Sequence, residues 1–234
     1  MPAKDFIVAI ELGSSKLRGI AGRKNNDGSI SVYAMASEDS STYIKKGTAH
    51  NLEKTIQGIT NIIGKLKAAL NREISQVYVG VSGQSIFSVK NEIVRDLPKD
   101  TLITQQMVNE LMDTNRNKTY SDKQILDVAI QEYKVGNDQL TGNFLNILWR
   151  KSFYDKLTNC FDKAGIKIAE LDIAPLALAD CILDDTRKRA GCMLVDMGAA
   201  TTTMLVYHKN ILRHIAVIPL GSSNITKDIA SANI

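Results

Sequence analysis

Two stretches of this sequence share an order of residue types suited to holding phosphate. The first is Ile7-Val-Ala-Ile-Glu11-Leu-Gly13-Ser14-Ser15-Lys16, and the second is Met193-Leu-Val-Asp196-Met-Gly198-Ala199-Ala200-Thr201-Thr202-Thr203. Each runs from an apolar strand to a carboxylate, a glycine turn, small or hydroxyl side chains and a second strand. Glycine lets backbone N–H groups turn toward a phosphate, and short hydroxyl residues add donors without blocking the approach. A carboxylate at the strand end can hold Mg²⁺, often through its water shell. Taken singly, each stretch also reads as an ordinary β-hairpin, Lys16 as a solvated strand residue, and Ser14 and Ser15 as a plain turn. As a separated pair, they have the chemistry to grip a nucleoside triphosphate from two sides.

The elements that must position these loops follow from apolar periodicity. Phe6 to Ile10 is a continuous apolar run, as in a buried strand. Lys16 to Arg23 and Ile30 to Ser37 are strands joined by Asn25-Asn26-Asp27-Gly28, a hairpin signal. Residues 51–71 carry Leu52, Ile56, Ile59, Ile62, Ile63, Leu66 and Leu70 on one helical face, with Asn51 as N-cap. Val77 to Val81 is a further buried strand. Between 84 and 165 the expected order is strand (Ile86 to Val89), helix (Thr104 to Asn115, with Thr104 as N-cap) and strands (Ile125 to Val135, Phe144 to Leu148). A helix from Ser152 to Ala164 follows, closed by Gly165. Next come a strand (Ile166 to Leu171), a helix with Pro175 near its start (Ala174 to Leu183) and three strands (Met193 to Asp196, Thr201 to Tyr207, Ile211 to Ile218), the last two joined by a turn at His208-Lys-Asn210. A helix from Gly221 into Ala230 ends the pattern.

Composition narrows the function classes. The 234 residues are 44% apolar and 23% charged, as in an ordinary globular protein. The net charge of +4 is spread along the chain, which argues against nucleic acid or a polybasic membrane patch. Arg187-Lys188-Arg189 reads as a solvated helix C-terminus. Cys160, Cys181 and Cys192 stand far apart in apolar settings and read as buried free thiols. His50, His208 and His214 share no ligand spacing. The opening Met-Pro-Ala-Lys-Asp is read as neither a signal peptide nor a membrane span.

The paired hairpins resemble the phosphate motifs of the actin, Hsp70 and sugar-kinase superfamily. Within it the chain resembles the FtsA family of bacterial cell division. That resemblance rests on residues 7–16, on Lys-Gly-Thr-Ala-His-Asn-Leu-Glu (46–53) and on Val-Tyr-Val-Gly-Val-Ser-Gly (77–83). It extends through Gln-Glu-Tyr-Lys-Val (131–135), Phe-Asp-Lys-Ala-Gly-Ile (161–166) and the block from Gly191 to Ala230. It implies an α/β fold: an actin-like (ribonuclease H-like) domain with an inserted small α+β 1C (SHS2-like) domain and the start of a second actin-like domain. The implied boundaries are 1–83 for the first part of domain 1A, 84–165 for 1C, 166–190 for the second part of 1A, and 191–234 for a truncated 2A. The implied cofactors are ATP and Mg²⁺. Gly13, Ser14, Ser15 and Lys16 would contact phosphate, Gly198, Ala199, Ala200, Thr201 and Thr202 would form the facing loop, and Glu11 and Asp196 would sit near the metal. Gly221 would open a helix beside the nucleotide. The implied partners are FtsZ, later division proteins, other copies of the chain through 1C, and the inner membrane through a C-terminal helix. The implied location is cytoplasmic, peripheral on the inner membrane at the division site, with at most weak ATPase activity.

Several positions depart from the family's pattern. Glu11 replaces the usual Asp and moves the carboxylate outward by one methylene. Ala199 and Ala200 replace glycine, and Thr203 stands where Asp is common. The stretch from Tyr133 to Phe144 is short, without a Pro- and Gly-containing segment between Leu140 and Gly142. Because the chain stops at Ile234, the resemblance places the adenosine-binding segment, the FtsZ-binding subdomain and the membrane helix beyond it, and residues 191–234 would have open strand edges. Other readings within the superfamily are a pilus-assembly-type actin homologue, an Hsp70-like chaperone and a small-molecule kinase. A kinase needs a general base and a substrate pocket, and no acid–base pair in the sequence has a persuasive context for that role.

Overall fold

The computed structural model describes residues 6–136 and 138–232. The opening Met-Pro-Ala-Lys-Asp, Asn137 and the last two residues lie outside the described residues. The first sheet has five strands in the order β10-β6-β1-β2-β3. They are β1 (Phe6–Leu12), β2 (Lys16–Lys24), β3 (Ile30–Asp39), β6 (Gln76–Val81) and β10 (Lys167–Ile173). β1, β2 and β3 form an antiparallel meander, and β6 and β10 run parallel to β1. Helix α1 (Leu52–Leu70) covers one face, burying Ile59, Ile62, Ile63 and Leu66 against Val8, Ile10, Leu12 and Leu17. The Asn51 side chain caps its first turn by accepting from the Lys54 N–H at 3.0 Å. Asn71 closes it in the left-handed region at φ 50°.

The expectation that Phe6 to Ile10 is buried on both faces is not met. Val8 and Ile10 are buried, but Ile7 is 39% exposed. Burial alternates along β1 because α1 packs on one side of the sheet, so a run of apolar residues supplies a one-sided strand. A two-stranded hairpin also went unanticipated: β4 (Ile44–Lys45) and β5 (Thr48–Ala49) pair across Lys46 and Gly47, both at positive φ.

The next sheet has the order β7-β9-β8, all antiparallel. β7 (Phe87–Asp96), β8 (Lys123–Val135) and β9 (Gln139–Arg150) are longer than the apolar runs suggested. Lys90, Glu92 and Arg95 interrupt the hydrophobic pattern of β7, but cross-strand bonds carry the strand through them. The short connection makes β8 and β9 a continuous hairpin, with Tyr133 opposite Gly142 and Val135 opposite Leu140. Helix α2 (Gln105–Arg116) packs on this sheet around Leu97, Leu111, Leu140 and Phe144, capped by Thr104 as expected. A buried amide chain, Asn91 to Asn115 at 2.7 Å and Asn115 to Asn146 at 2.6 Å, pins α2 to β7 and β9. Helix α3 (Lys151–Lys163) buries Leu157, Cys160 and Phe161 in the main core beside α1.

The chain then passes through α4 (Ala174–Ile182) and α5 (Asp185–Ala190) into a three-stranded antiparallel sheet, β11-β12-β13. β11 (Cys192–Met197), β12 (Thr202–His208) and β13 (Ile211–Ile218) alternate in burial, and α6 (Ser222–Ala232) follows. Lys209 and Asn210 make the β12–β13 turn with φ 56° and 61°, the geometry that a two-residue hairpin needs. The cysteine expectation holds in part: all three are free and Cys160 is buried, but Cys192 is half-buried and Cys181 is exposed on α4. No helix among the described residues is long and apolar enough to cross a membrane.

The expected open edges are also only partly present. β13 borders the inserted sheet, whose side chains cap its free backbone groups. Gln131 Nε2 donates to the Leu212 carbonyl at 2.8 Å, and Ser88 Oγ donates to the Ile215 carbonyl at 3.2 Å. The Ile215 N–H reaches Ser88 Oγ at 3.4 Å.

Candidate functional site

The turn from β1 to β2 is held from behind. Gly13 is required there, because a Cβ would lie 2.6 Å from the Lys16 carbonyl oxygen. Ser40, fully buried, donates its hydroxyl to the Gly13 carbonyl at 2.6 Å and its N–H to the Ser15 carbonyl at 3.0 Å. Ser14 Oγ accepts the Gly47 N–H at 3.0 Å, which ties the turn to the β4–β5 hairpin. With the carbonyls drawn backward, the N–H groups of Ser14 and Ser15 meet no acceptor among the described residues.

The turn from β11 to β12 is built on the same plan and held differently. The Gly198 N–H donates to the Thr201 carbonyl at 2.9 Å. The first turn of α6 then takes up the loop carbonyls: Ser222 N–H donates to Gly198 O at 2.9 Å and Ser223 N–H to Ala199 O at 3.0 Å. This close approach needs Gly221, where a Cβ would stand 2.5 Å from Gly198 O and 2.6 Å from Ala199 O. The N–H groups of Ala199 and Ala200 meet no acceptor among the described residues.

The two turns face each other across one polar cleft of about 390 Å³. Glu11, Gly13, Ser14, Ser15, Lys16, Asp196, Gly198, Ala199, Ala200 and Thr201 all line it, so ten of the twelve expected residues come together. Thr202 and Gly221 do not. Thr202 Oγ1 turns away and donates to the Leu220 carbonyl at 2.8 Å. Gly221 is taken up by the contact between α6 and the second turn, and Ser222 lines the cleft in its place. Met197 and Thr203 of the second stretch also line the cleft, as do Arg18 and Ser82, which the sequence did not single out. Arg18 was within reach of the sequence, since a strand returns to the same face every second residue and Lys16 was already singled out. Ser82 could be placed only once β6 was known to run parallel to β1, which brings its carboxyl end to the same rim.

Four charges line this cleft: Glu11, Lys16, Arg18 and Asp196. Glu11 and Arg18 are cross-strand partners, and Arg18 Nη1 donates to Glu11 Oε2 at 3.3 Å. The Asp196 carboxylate has no hydrogen-bond or ion-pair partner among the described residues. Lys16 stands across from Asp39 on β3. The Asp39 carboxyl is held below its ordinary value, first by bonds from the Ser41 hydroxyl and N–H and less by the Lys16 charge.

The cleft fits a polyphosphate: unpaired N–H groups come from both rims, Lys16 and Arg18 add positive charge, and glycine keeps the approach open. It does not fit a metal held by protein alone. Among the described residues no group of three carboxylate, imidazole or thiol ligands exists, and Glu11 is engaged with Arg18. A Mg²⁺ arriving on phosphate would find Asp196 as its uncommitted carboxylate.

Two family models match this chain: "Cell division protein FtsA" over residues 193–233 and "SHS2 domain inserted in FTSA" over residues 83–141. The FtsA of Porphyromonas gingivalis is 30% identical over 241 residues, covering 96% of this chain and 50% of that protein. The FtsA of Escherichia coli K12 is 26% identical, covering 98% of this chain and 57% of its own length. Among solved structures, the PilM-PilN type IV pilus biogenesis complex superposes with TM-score 0.65 at 16% identity, covering 97% of this chain and 66% of that one. MreB5 of Spiroplasma citri bound to ADP gives TM-score 0.50 at 9% identity, covering 97% and 56%. At these identities the structures show the fold alone, and that fold is actin-like with an inserted SHS2 domain. Both family models, and the similarity along nearly the whole chain, are to the FtsA cell-division proteins, and the chain spans about half the length of the curated relatives it matches.

Proposed function

We propose that the cleft binds ATP, with the two turns gripping its phosphates. On this reading Gly13, Ser14 and Ser15 offer backbone donors from one rim and Lys16 its ammonium, while Gly198, Ala199, Ala200 and Thr201 close from the other. Mg²⁺, when bound, neutralises phosphate charge from the Asp196 side. Glu11 gives one oxygen, Oε2, to Arg18 and keeps the other for the water shell of the metal. The observation that carries the reading is the convergence of both sequence repeats on one cleft, with unpaired N–H groups on each rim. We divide the chain accordingly into 1A (1–83 and 166–190), 1C (84–165) and the opening of 2A (191–234). In the whole protein, this unit serves an actin-like division protein that polymerises at the inner membrane through 1C, tethers the FtsZ ring and recruits later division proteins. Turnover of ATP is at most weak on this reading.

The test is calorimetric titration of Mg²⁺-ATP into this chain and into Lys16→Ala. Micromolar affinity in the parent is expected, weakened at least about tenfold in the variant, as for the loss of a charged hydrogen bond worth ~1.5–3 kcal/mol. Equal heats from parent and variant would remove Lys16 from the phosphate site.

A further inference from the structure

Arg18 is not part of either repeat, yet it stands in the cleft. It follows Lys16 by two positions on β2, so both project from the same face of the strand. Its direct neighbour across the ladder is Glu11, the acid of the first repeat. The pair is held by backbone register as well as by the 3.3 Å contact, and both side chains remain solvent-accessible, at 62% for Arg18 and 42% for Glu11. Glu11 engages a single guanidinium nitrogen, Nη1. A guanidinium has five N–H donors in a planar fork, so Arg18 can keep Glu11 and still present donors to a phosphate.

The charge balance of the cleft gives this a consequence. Glu11 and Asp196 offset Lys16 and Arg18, so the four lining charges sum to zero. If Glu11 were free, a polyphosphate would meet two bare carboxylates and would need a divalent cation to bridge them. With Glu11 tied to Arg18, the phosphate meets Lys16, the remaining Arg18 donors and one carboxylate. We propose that Arg18 is a phosphate-binding residue of this cleft, and that by occupying Glu11 it makes polyphosphate binding tolerant of metal removal. The inference rests on the nucleotide reading above and deepens it, because it assigns charge neutralisation to a side chain where a carboxylate-held metal would otherwise be needed.

Arg18 lies in the exposed row of β2, opposite the core-facing Leu17, so its replacement leaves the packing of the sheet intact. The experiment measures ATP affinity by calorimetry in Mg²⁺ and in EDTA, for the parent chain, Arg18→Ala and Arg18→Lys, with a thermal melt of each to establish folding. In the parent, removing the metal is expected to weaken ATP binding by less than about tenfold. In Arg18→Ala, Glu11 is released into the site, and the ratio of the two affinities is expected to rise by about tenfold or more. Arg18→Lys, which keeps the charge, is expected to stay within about threefold of the parent ratio. ATP binding whose metal ratio is the same in the parent and in Arg18→Ala would overturn this inference and leave the nucleotide reading standing. No ATP binding to the parent in either buffer would overturn the nucleotide reading, and this inference with it.

Discussion

The β1–β2 and β11–β12 turns have the same residue order and opposite kinds of support. The first is braced by its own sheet: Ser40 at the end of β3 holds two of its carbonyls, the β4–β5 hairpin holds Ser14, and α1 fills the layer behind. The second sits on three strands and depends on what comes after it, since Gly198 and Ala199 are held by the first turn of α6. One face of its sheet is bare, with Met193, Val195 and Met197 between 45% and 59% exposed. Its β13 edge is capped by side chains from the inserted domain. A phosphate-loop sequence therefore specifies a turn but not its rigidity, which comes from the elements packed behind it.

The sharpest way to break the comparison is to crowd each turn separately. Gly221→Ala drives a methyl into the backbone of Gly198 and Ala199, and Gly13→Ala drives one into the Lys16 carbonyl. Each is expected to cost about 1–3 kcal/mol, as overpacking against immobile atoms does. Hydrogen exchange locates the damage. Gly221→Ala should strip protection from the Ser222 and Ser223 amides and leave Ser40 protected, and Gly13→Ala should do the reverse. Loss of protection at both turns from either substitution would show that they form one cooperative unit.

An effect of similar size tests the borrowed support of the β11–β13 sheet. Removing both caps with Ser88→Ala and Gln131→Ala leaves backbone groups on the β13 edge without partners. It is expected to lower stability to urea by about 1–3 kcal/mol. The bared edge should also make the chain associate with rising concentration, read by sedimentation. A variant that stays monomeric and as stable as the parent would mean that water serves this edge equally well.

The smallest effect is a pH dependence that arises in the β11–β13 sheet. Tyr207 is 7% exposed, with Lys188 over its ring at 5.2 Å. Burial, helped by the charges of Asp180, Cys192 and Asp127, pushes its phenol up to about 12. The unfolded phenol titrates near 10. Below that pH both states keep the proton and stability does not change through this group. Between about 10 and 12 the unfolded state ionises first, so stability falls as pH rises. Urea unfolding at pH 9 and pH 11 should show a loss larger in the parent than in Tyr207→Phe, by up to about 1 kcal/mol. Equal losses would place the alkaline sensitivity elsewhere.

Much of this molecule follows from local sequence, for a physical reason in each case. The α1 stripe, the Asn51 and Thr104 caps, the turn before β13 and both glycine turns were legible because each is decided by residues within a few positions of one another. The strands of the inserted sheet were underestimated because pairing, not hydrophobicity, carries Lys90, Glu92 and Arg95. Ten of the expected cleft residues could be named in advance because the repeat marks them. Arg18 could have been found by strand period, whereas Ser82 and Ser222 needed the topology. What tertiary structure alone decided was how the two repeats meet: a parallel β6 and an α6 locked onto its own loop set the rims of the cleft. It also turned Glu11 toward Arg18 and placed β13 under Ser88 and Gln131. The contacts to β13 join residues 81 and 127 positions apart, and no local preference of the chain encodes an interaction at that range.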